Sequence, residues 1–83
     1  MQEQDWSKLK RERLPMPDDV RERLEELGLL QAYRSRPPYQ QNDYLGWIAR
    51  AKRPATREKR IGQMLAELEK GDVYMKMDWK PKV

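Results

Sequence analysis

The sequence predicts an all-α fold, a small bundle of three to four helices with flexible N- and C-terminal tails. Two observations carry this prediction. Apolar residues recur at the i, i+3, i+4, i+7 spacing of an amphipathic helix in separate segments of the chain. Prolines and glycines stand between these segments, where helices begin and end. The chain has 83 residues, which leaves room for one small domain.

The first two predicted helices span about residues 17–27 and 29–34. Pro17 suits the first position of a helix, and the acidic residues that follow it complement the helix dipole. Gly28 is a natural stop because glycine accepts a left-handed backbone. The second helix ends before Pro37, since proline disfavours a helical residue in front of it.

The third and fourth predicted helices span about residues 38–52 and 57–70. Thr56 is the expected N-cap of the fourth helix, and Gly71 is its expected end. The short connection between these helices makes them packed neighbours. The apolar stripes predict a core of Val20, Leu24, Leu27, Leu30, Tyr33, Tyr44, Trp47, Ile48, Ala51, Ile61, Leu65 and Leu68.

The predicted organisation is a flexible tail over residues 1–14, a helical domain over 15–71 and an extended arm over 72–83. Apolar and polar residues alternate in the arm, as in a strand, but no second strand is evident. The arm therefore packs on the bundle, pairs across a dimer or stays disordered. Trp6 and Trp79 lie in these terminal segments, where each either anchors an interface or folds back onto the bundle.

Composition excludes several classes of chemistry. The chain has no cysteine and no histidine, so disulfides, Cys/His zinc sites and imidazole bases are absent. We expect no cofactor and no catalytic residue. No stretch approaches the roughly 20 apolar residues of a membrane span, and no secretory signal is evident, so the predicted location is cytoplasmic. The net charge of +4 only weakly indicates acidic partners.

The segment from Tyr44 to Ile61 carries a recognisable pattern, Y-x-x-W-I-x-x-A-K-R-P-x-T-R-x-x-R-I. This pattern resembles that of the bacterial YdeI/OmpD-associated family, also called bacteriocin-protection proteins. The likeness spans about residues 14–71 and implies a helical domain, with a context in envelope or antimicrobial stress. It implies no reaction. Many relatives carry a further N-terminal domain, whose activity does not transfer to this chain, and the arm after Gly71 is not part of the pattern.

A basic cluster at the junction of the third and fourth helices is the candidate binding site. Its residues are Lys52, Arg53, Thr56, Arg57 and Arg60. Positive charge in the first turn of a helix opposes the dipole, and such a local conflict often marks a functional site. These side chains suit an anion such as a phosphate or a carboxylate. The alternative is internal pairing with the acidic first helix or with helix carbonyls. This alternative is favoured because runs of charged residues are usually solvated or paired within the protein.

The predicted function is a non-catalytic interaction module that recognises an acidic or peptide-like protein partner through this junction. Nucleic-acid binding through the same basic helix–helix junction is the alternative, because its cations also suit phosphates. An enzymatic role is a third hypothesis, and it needs a concave pocket beside Lys52, Thr56 and Arg57. Thr56 has no histidine or cysteine to activate it as a nucleophile. The oligomeric state stays open.

Overall fold

The computed structural model describes residues 12–80, which form four helices followed by a small antiparallel hairpin. The elements are α1 (Asp18–Glu26), α2 (Leu30–Arg34), α3 (Pro38–Ala49), α4 (Pro54–Lys70), β1 (Val73–Tyr74) and β2 (Met77–Asp78). The mostly helical prediction is confirmed, and the hairpin corrects the all-α class. Residues 1–11, including Trp6, and residues 81–83 lie outside the described part, so the expectations for them stay predictions.

A glycine-centred motif joins α1 to α2. Gly28 takes a left-handed backbone with φ of 68°. The N–H of Leu29 donates to the carbonyl of Leu24 at 2.8 Å, and that of Gly28 donates to Glu25 at 3.1 Å. This is the Schellman pattern, which brings the residue after the glycine back against the helix. Leu29 is consequently buried against the core, and Leu27, predicted as a core residue, is 53% exposed.

The α3–α4 connection differs from the prediction at both ends. Helix α3 ends at Ala49, three residues before the expected end, and Arg53, which precedes a proline, is extended. Helix α4 begins at Pro54, whose fixed φ suits the first helical position. Thr56 therefore lies inside the first turn, and no side chain caps this helix end. The assignment of Thr56 as the N-cap was wrong.

The C-terminal arm folds back on itself as a hairpin. Val73 pairs with Asp78, and Tyr74 pairs with Met77. The two turn residues, Met75 and Lys76, both have positive φ, at 49° and 65°. Such angles belong to a type I′ turn, which usually carries Asn-Gly. The second strand that the sequence did not reveal therefore lies in the arm itself, although each strand has only two residues and burial does not alternate along either.

The core lies between the four helices, with the hairpin packed on one side. Its fully buried members include residues from α1, α3 and α4. Tyr74 makes edge-to-face contacts with Tyr39 and Tyr44, at centroid distances of 5.9 and 5.5 Å. These contacts attach the hairpin to α3. Of the predicted core residues, Leu30, Trp47 and Ala51 are half-buried, and all others except Leu27 are buried: Val20, Leu24, Tyr33, Tyr44, Ile48, Ile61, Leu65 and Leu68.

None of the helices within residues 12–80 combines the length and the apolar character that crossing a bilayer requires.

Candidate functional site

The five predicted site residues occupy the α3–α4 connection and the first two turns of α4. Lys52 and Arg53 lie in the connection and are exposed. Among residues 12–80, no hydrogen bond or ion pair engages either side chain. Thr56, Arg57 and Arg60 are half-buried on α4. The structure therefore divides the set into free cations before the helix and engaged cations on it.

Arg57 binds the acidic first helix. Its Nε and Nη2 donate to the two carboxylate oxygens of Asp19, each at 2.9 Å. These hydrogen bonds lower the pKa of the Asp19 carboxyl from its ordinary value and raise the pKa of the Arg57 guanidinium. Next to it, Glu58 accepts a hydrogen bond from Arg23 at 2.7 Å. Two consecutive residues of α4 thus pair with α1. For Arg57, the structure shows the alternative considered from the sequence, which is internal pairing with the acidic first helix.

Arg60 binds the end of α3. Its Nη1 donates to the carbonyl of Trp47 at 2.7 Å, and its guanidinium lies over the indole ring, 5.3 Å from the centroid. The last carbonyls of a helix lack partners within the helix, and Arg60 supplies one for this end of α3. Stacking on the ring adds a cation–π contact. Arg60 thus links α3 to α4, and its side chain also lines a cleft.

A cleft of about 220 Å³ opens where α3, α4 and the hairpin turn meet. We call it the junction cleft, and it is lined by Trp47, Thr56, Lys59, Arg60, Gln63 and Lys76. Three of these residues are cations, and none has a carboxylate. Lys59 and Lys76 are exposed and form no ion pair within the described part of the chain. The lining therefore combines positive charge with an aromatic surface.

Sequence reasoning missed Lys76 as a member of this site. Lys76 lies at the cleft because of the hairpin turn, and this turn lacks the glycine or asparagine from which it could have been predicted. Lys59 was visible as part of the basic run on α4, but its position on the same face as Arg60 and Gln63 depends on where that helix begins. The i, i+4 relation of Lys59 and Gln63 is the signal that would have found it.

The comparison with known families covers most of this architecture. A family model described as bacteriocin-protection, YdeI or OmpD-associated matches residues 13–71. The chain belongs to this family. No curated protein and no solved structure shows a significant match.

The YdeI/OmpD-associated segment contains all four helices, and the hairpin lies beyond it. Lys52, Arg53, Lys59 and Arg60 belong to the matched segment, whereas Lys76 does not. The junction cleft is accordingly built from the family domain and closed by a segment that follows it.

A buried carboxylate fixes the hairpin turn beside the cleft. Glu67 is 4% exposed, and its carboxylate accepts hydrogen bonds from the N–H groups of Met75 and Lys76, both at 2.8 Å. It also accepts from the hydroxyl of Tyr44 and from the amide of Gln63 at 3.1 Å. Consecutive N–H groups in such a turn form a concave anion site, here filled by the protein's own side chain. Burial, and next the bond to Glu67, raises the pKa of Tyr44 well above its ordinary value.

The polar residues at the start of α3 are also internal. Gln40, Gln41 and Asn42 are all less than 5% exposed. Gln40 accepts from Arg36 at 3.0 Å, and Gln41 donates to the carbonyls of Arg34 and Arg36 at the end of α2. Amide side chains can read base edges of a nucleic acid when they are exposed. These three are instead occupied inside the protein.

The terminal tryptophan of the described part folds back onto the bundle. Trp79 is half-buried, with the guanidinium of Arg36 4.6 Å from its ring centroid. Arg36 itself is 3% exposed and donates to the carbonyl of Glu67 at 3.0 Å. Of the two options open from sequence, interface anchor or cover of the bundle, the structure places Trp79 in the second.

Proposed function

We propose that this protein is a non-catalytic interaction module whose junction cleft, with the adjacent Lys52 and Arg53, binds an acidic segment of a protein partner. The observation that carries the proposal is the composition of the cleft wall. Lys59, Arg60 and Lys76 converge on one opening without a carboxylate among the lining residues. Like charges around a concavity raise the local concentration of the opposite charge.

The indole beside these cations favours a protein partner. Trp47 is half-buried and held by Arg60, so little conformational freedom is lost when a partner covers it. Tryptophan and arginine are the residues that most often dominate binding energy at protein interfaces. Association is also the property that the OmpD-associated part of the family name describes.

The chemistry of the junction supports a binding role over a catalytic one. Thr56 is the hydroxyl in the cleft, and the other polar lining groups are cations and one amide. No histidine and no carboxylate lines the cleft to take a proton from the hydroxyl. The cleft is also smaller than most substrate pockets, which span roughly 300–1,000 Å³. We therefore propose a binding role without catalysis.

The test is a nitrogen–proton NMR titration of the full chain with a short peptide of aspartate and glutamate residues. We expect saturable shifts at the amides of residues 52, 53, 55–60 and 76 that weaken as salt is raised, because exposed charges are screened. The double variant Lys52→Glu/Lys59→Glu should weaken the peptide at least about tenfold. Lys70→Glu/Lys80→Glu makes the same charge change on exposed residues outside the cleft and should alter affinity less than about twofold.

Two outcomes would overturn the proposal. One is an absence of saturable shifts at the junction, and the other is equal weakening by both double variants. Double-stranded DNA, a single-stranded oligonucleotide and inorganic phosphate form parallel arms. If either nucleic acid binds the junction more tightly than the peptide does, with a steep loss on adding salt, the nucleic-acid alternative replaces the protein partner.

A further inference from the structure

A second cleft, of about 290 Å³, lies between the segment before α1 and the helices α1, α2 and α3. It shares no lining residue with the junction cleft. Three arginines, Arg13, Arg21 and Arg34, border it, so we call it the arginine cleft. The proposed interaction function makes no use of it.

The outer wall of the arginine cleft is fixed to the bundle. The buried amide of Asn42 accepts a hydrogen bond from the N–H of Leu14 and donates one to the carbonyl of Glu12, both at 2.8 Å. Asn42 is 4% exposed, so this pair is shielded from water. Because its anchor points flank Arg13, the wall is already in place before any ligand arrives. Pre-formed walls are a general property of small-ligand sites.

The floor of the arginine cleft includes apolar side chains. Tyr33 and Leu45 are buried there, at 3% and 5% exposure, while Leu14 is 36% exposed at the side. The hydroxyl of Tyr33 donates to the carbonyl of Gln41 at 3.2 Å, so this hydroxyl is already engaged inside the protein. Burial raises the pKa of this phenol well above its ordinary value and keeps it neutral. An apolar group that covers this floor would remove Leu14 from water.

The rim of the cleft is cationic and has no acid. Arg13, Arg21 and Arg34 come from three different segments and are exposed, and no lining residue has a carboxylate. The guanidinium groups of Arg21 and Arg34 form no ion pair or hydrogen bond with another side chain of residues 12–80. Guanidinium groups bind carboxylate and phosphate oxygens in pairs, which gives them preference for such anions over chloride.

We propose that the arginine cleft binds a small amphiphilic anion, a carboxylate or phosphate attached to a short apolar chain or ring. The apolar part packs mainly on Leu14, above the buried Tyr33 and Leu45, and the anionic oxygens meet Arg21 and Arg34. The cleft volume lies at the lower limit of small-ligand pockets, which fits a ligand of this size rather than a folded partner. This ligand class differs from the acidic peptide proposed for the junction in its need for an apolar part.

The experiment is an NMR titration of the full chain with octanoate and, in a parallel arm, octyl phosphate. Octanol supplies the chain without the charge, and acetate supplies the charge without the chain. We expect saturable shifts at the amides of Leu14, Tyr33, Arg34 and Leu45 with at least one of the two amphiphiles. Octanol and acetate should bind at least about tenfold more weakly, because each lacks one of the two contacts. The stronger amphiphile identifies the head group.

A pair of variants locates the site. Arg21→Ala/Arg34→Ala should weaken the preferred amphiphile at least about tenfold. Lys70→Ala/Lys80→Ala removes the same charge from exposed positions outside both clefts and should change affinity less than about twofold. The truncated arginines are exposed, so the folded spectrum should persist. Equal effects of the two double variants, octanol binding as tightly as octanoate, or no saturable shift at the cleft would each overturn the proposal.

The two proposals fail separately. The acidic peptide should leave the amides of Leu14 and Leu45 unshifted, and octanoate should leave those of Lys59 and Lys76 unshifted. Loss of peptide binding therefore removes only the junction function. Loss of amphiphile binding removes only the arginine cleft.

Discussion

Glu67 connects more of the polar interior than any other side chain described above. Its carboxylate serves Tyr44, Gln63 and the two turn amides, and its carbonyl accepts from Arg36. A buried carboxylate is unfavourable unless hydrogen bonds replace the water it leaves. Here the donors come from α3, α4 and the hairpin, so one residue joins three elements.

Replacing Glu67 with alanine should lower the free energy of unfolding by about 3 kcal/mol or more, because the donors of Tyr44, Met75 and Lys76 lose their acceptor. Urea unfolding followed by circular dichroism measures the change. Glu69→Ala is the matched control, since Glu69 is an exposed glutamate on the same helix. Its effect should stay within about 0.5 kcal/mol. Similar losses in both variants would contradict the structural role given to Glu67.

Asp19 and Arg57 predict a specific pH response. The folded-state pKa of Asp19 lies below its ordinary value of 3.8 because Arg57 donates to it. The pair therefore stabilises the protein above that value, and this contribution is lost as pH falls through the lower, folded-state pKa. Both side chains are partly exposed, at 49% for Asp19 and 29% for Arg57, so the contribution should be no more than about 0.5 kcal/mol.

Arg57→Gln should raise the pKa of Asp19 toward 3.8, as followed by carbon NMR of its carboxyl group. Arg23→Gln is the control. It removes the other arginine that pairs between α1 and α4, whose partner is Glu58 and not Asp19. It should leave the Asp19 titration nearly unchanged. An Asp19 titration that stays the same in Arg57→Gln would disprove the assigned partner.

Alanine substitution at two glycines should change stability in opposite directions, because one glycine has a left-handed backbone and the other is helical. Gly28 has φ of 68°, and a Cβ placed there meets nothing within 4 Å. Gly28→Ala should therefore destabilise by about 1 kcal/mol through backbone strain alone. Gly62 lies within α4 and also has open space around a Cβ. Gly62→Ala should stabilise by up to about 1 kcal/mol through helix propensity. Thermal unfolding that moves in the same direction for both would contradict this distinction.

The helices were largely predictable from the sequence, and their ends were less so. Apolar spacing located all four helices, because burial of one face decides where a helix forms. At the start of α4, Pro54 and Thr56 are competing signals, and the proline prevails. At Gly28, the glycine predicted the end of the helix but not the motif that buries Leu29 in place of Leu27. Which leucine is buried depends on the direction in which the chain leaves the helix after Gly28.

The hairpin could not be predicted from its own residues. Met75 and Lys76 lack the usual residues for a turn with two positive φ angles. The turn exists because the carboxylate of Glu67 accepts from both of their N–H groups. That acceptor is a tertiary contact from the preceding helix, and no local pattern reports it.

The candidate site was predictable in its location and only partly in its members. The charge distribution located the basic junction and raised internal pairing as an alternative, which Arg57 and Arg60 adopt. It did not reveal Lys76, which only the hairpin brings near. The arginine cleft was not predicted at all, because its cations are separated in the sequence and meet only through the packing of α1, α2 and the segment before them.

The stability of the whole molecule should depend on the hairpin. A shortened chain that ends at Gly71 keeps the four helices but removes Tyr74 from Tyr44 and Trp79 from Arg36. It also removes two donors of Glu67. We expect the free energy of unfolding to fall by about 3 kcal/mol or more, a large part of the margin of so small a domain. Glu67→Gln should cost less in the shortened chain than in the full one. Equal unfolding free energies of the full and shortened chains would contradict this.

The carboxylate that holds the hairpin turn also separates two meanings of a domain boundary. By descent, as the family match records it, the domain stops at Gly71. By hydrogen bonding, it continues through the turn, because Glu67 inside the matched segment accepts from two N–H groups outside it. A cleavage site or fusion partner inserted immediately after Gly71 would thus fall within a folding unit, however clean the boundary looks in an alignment.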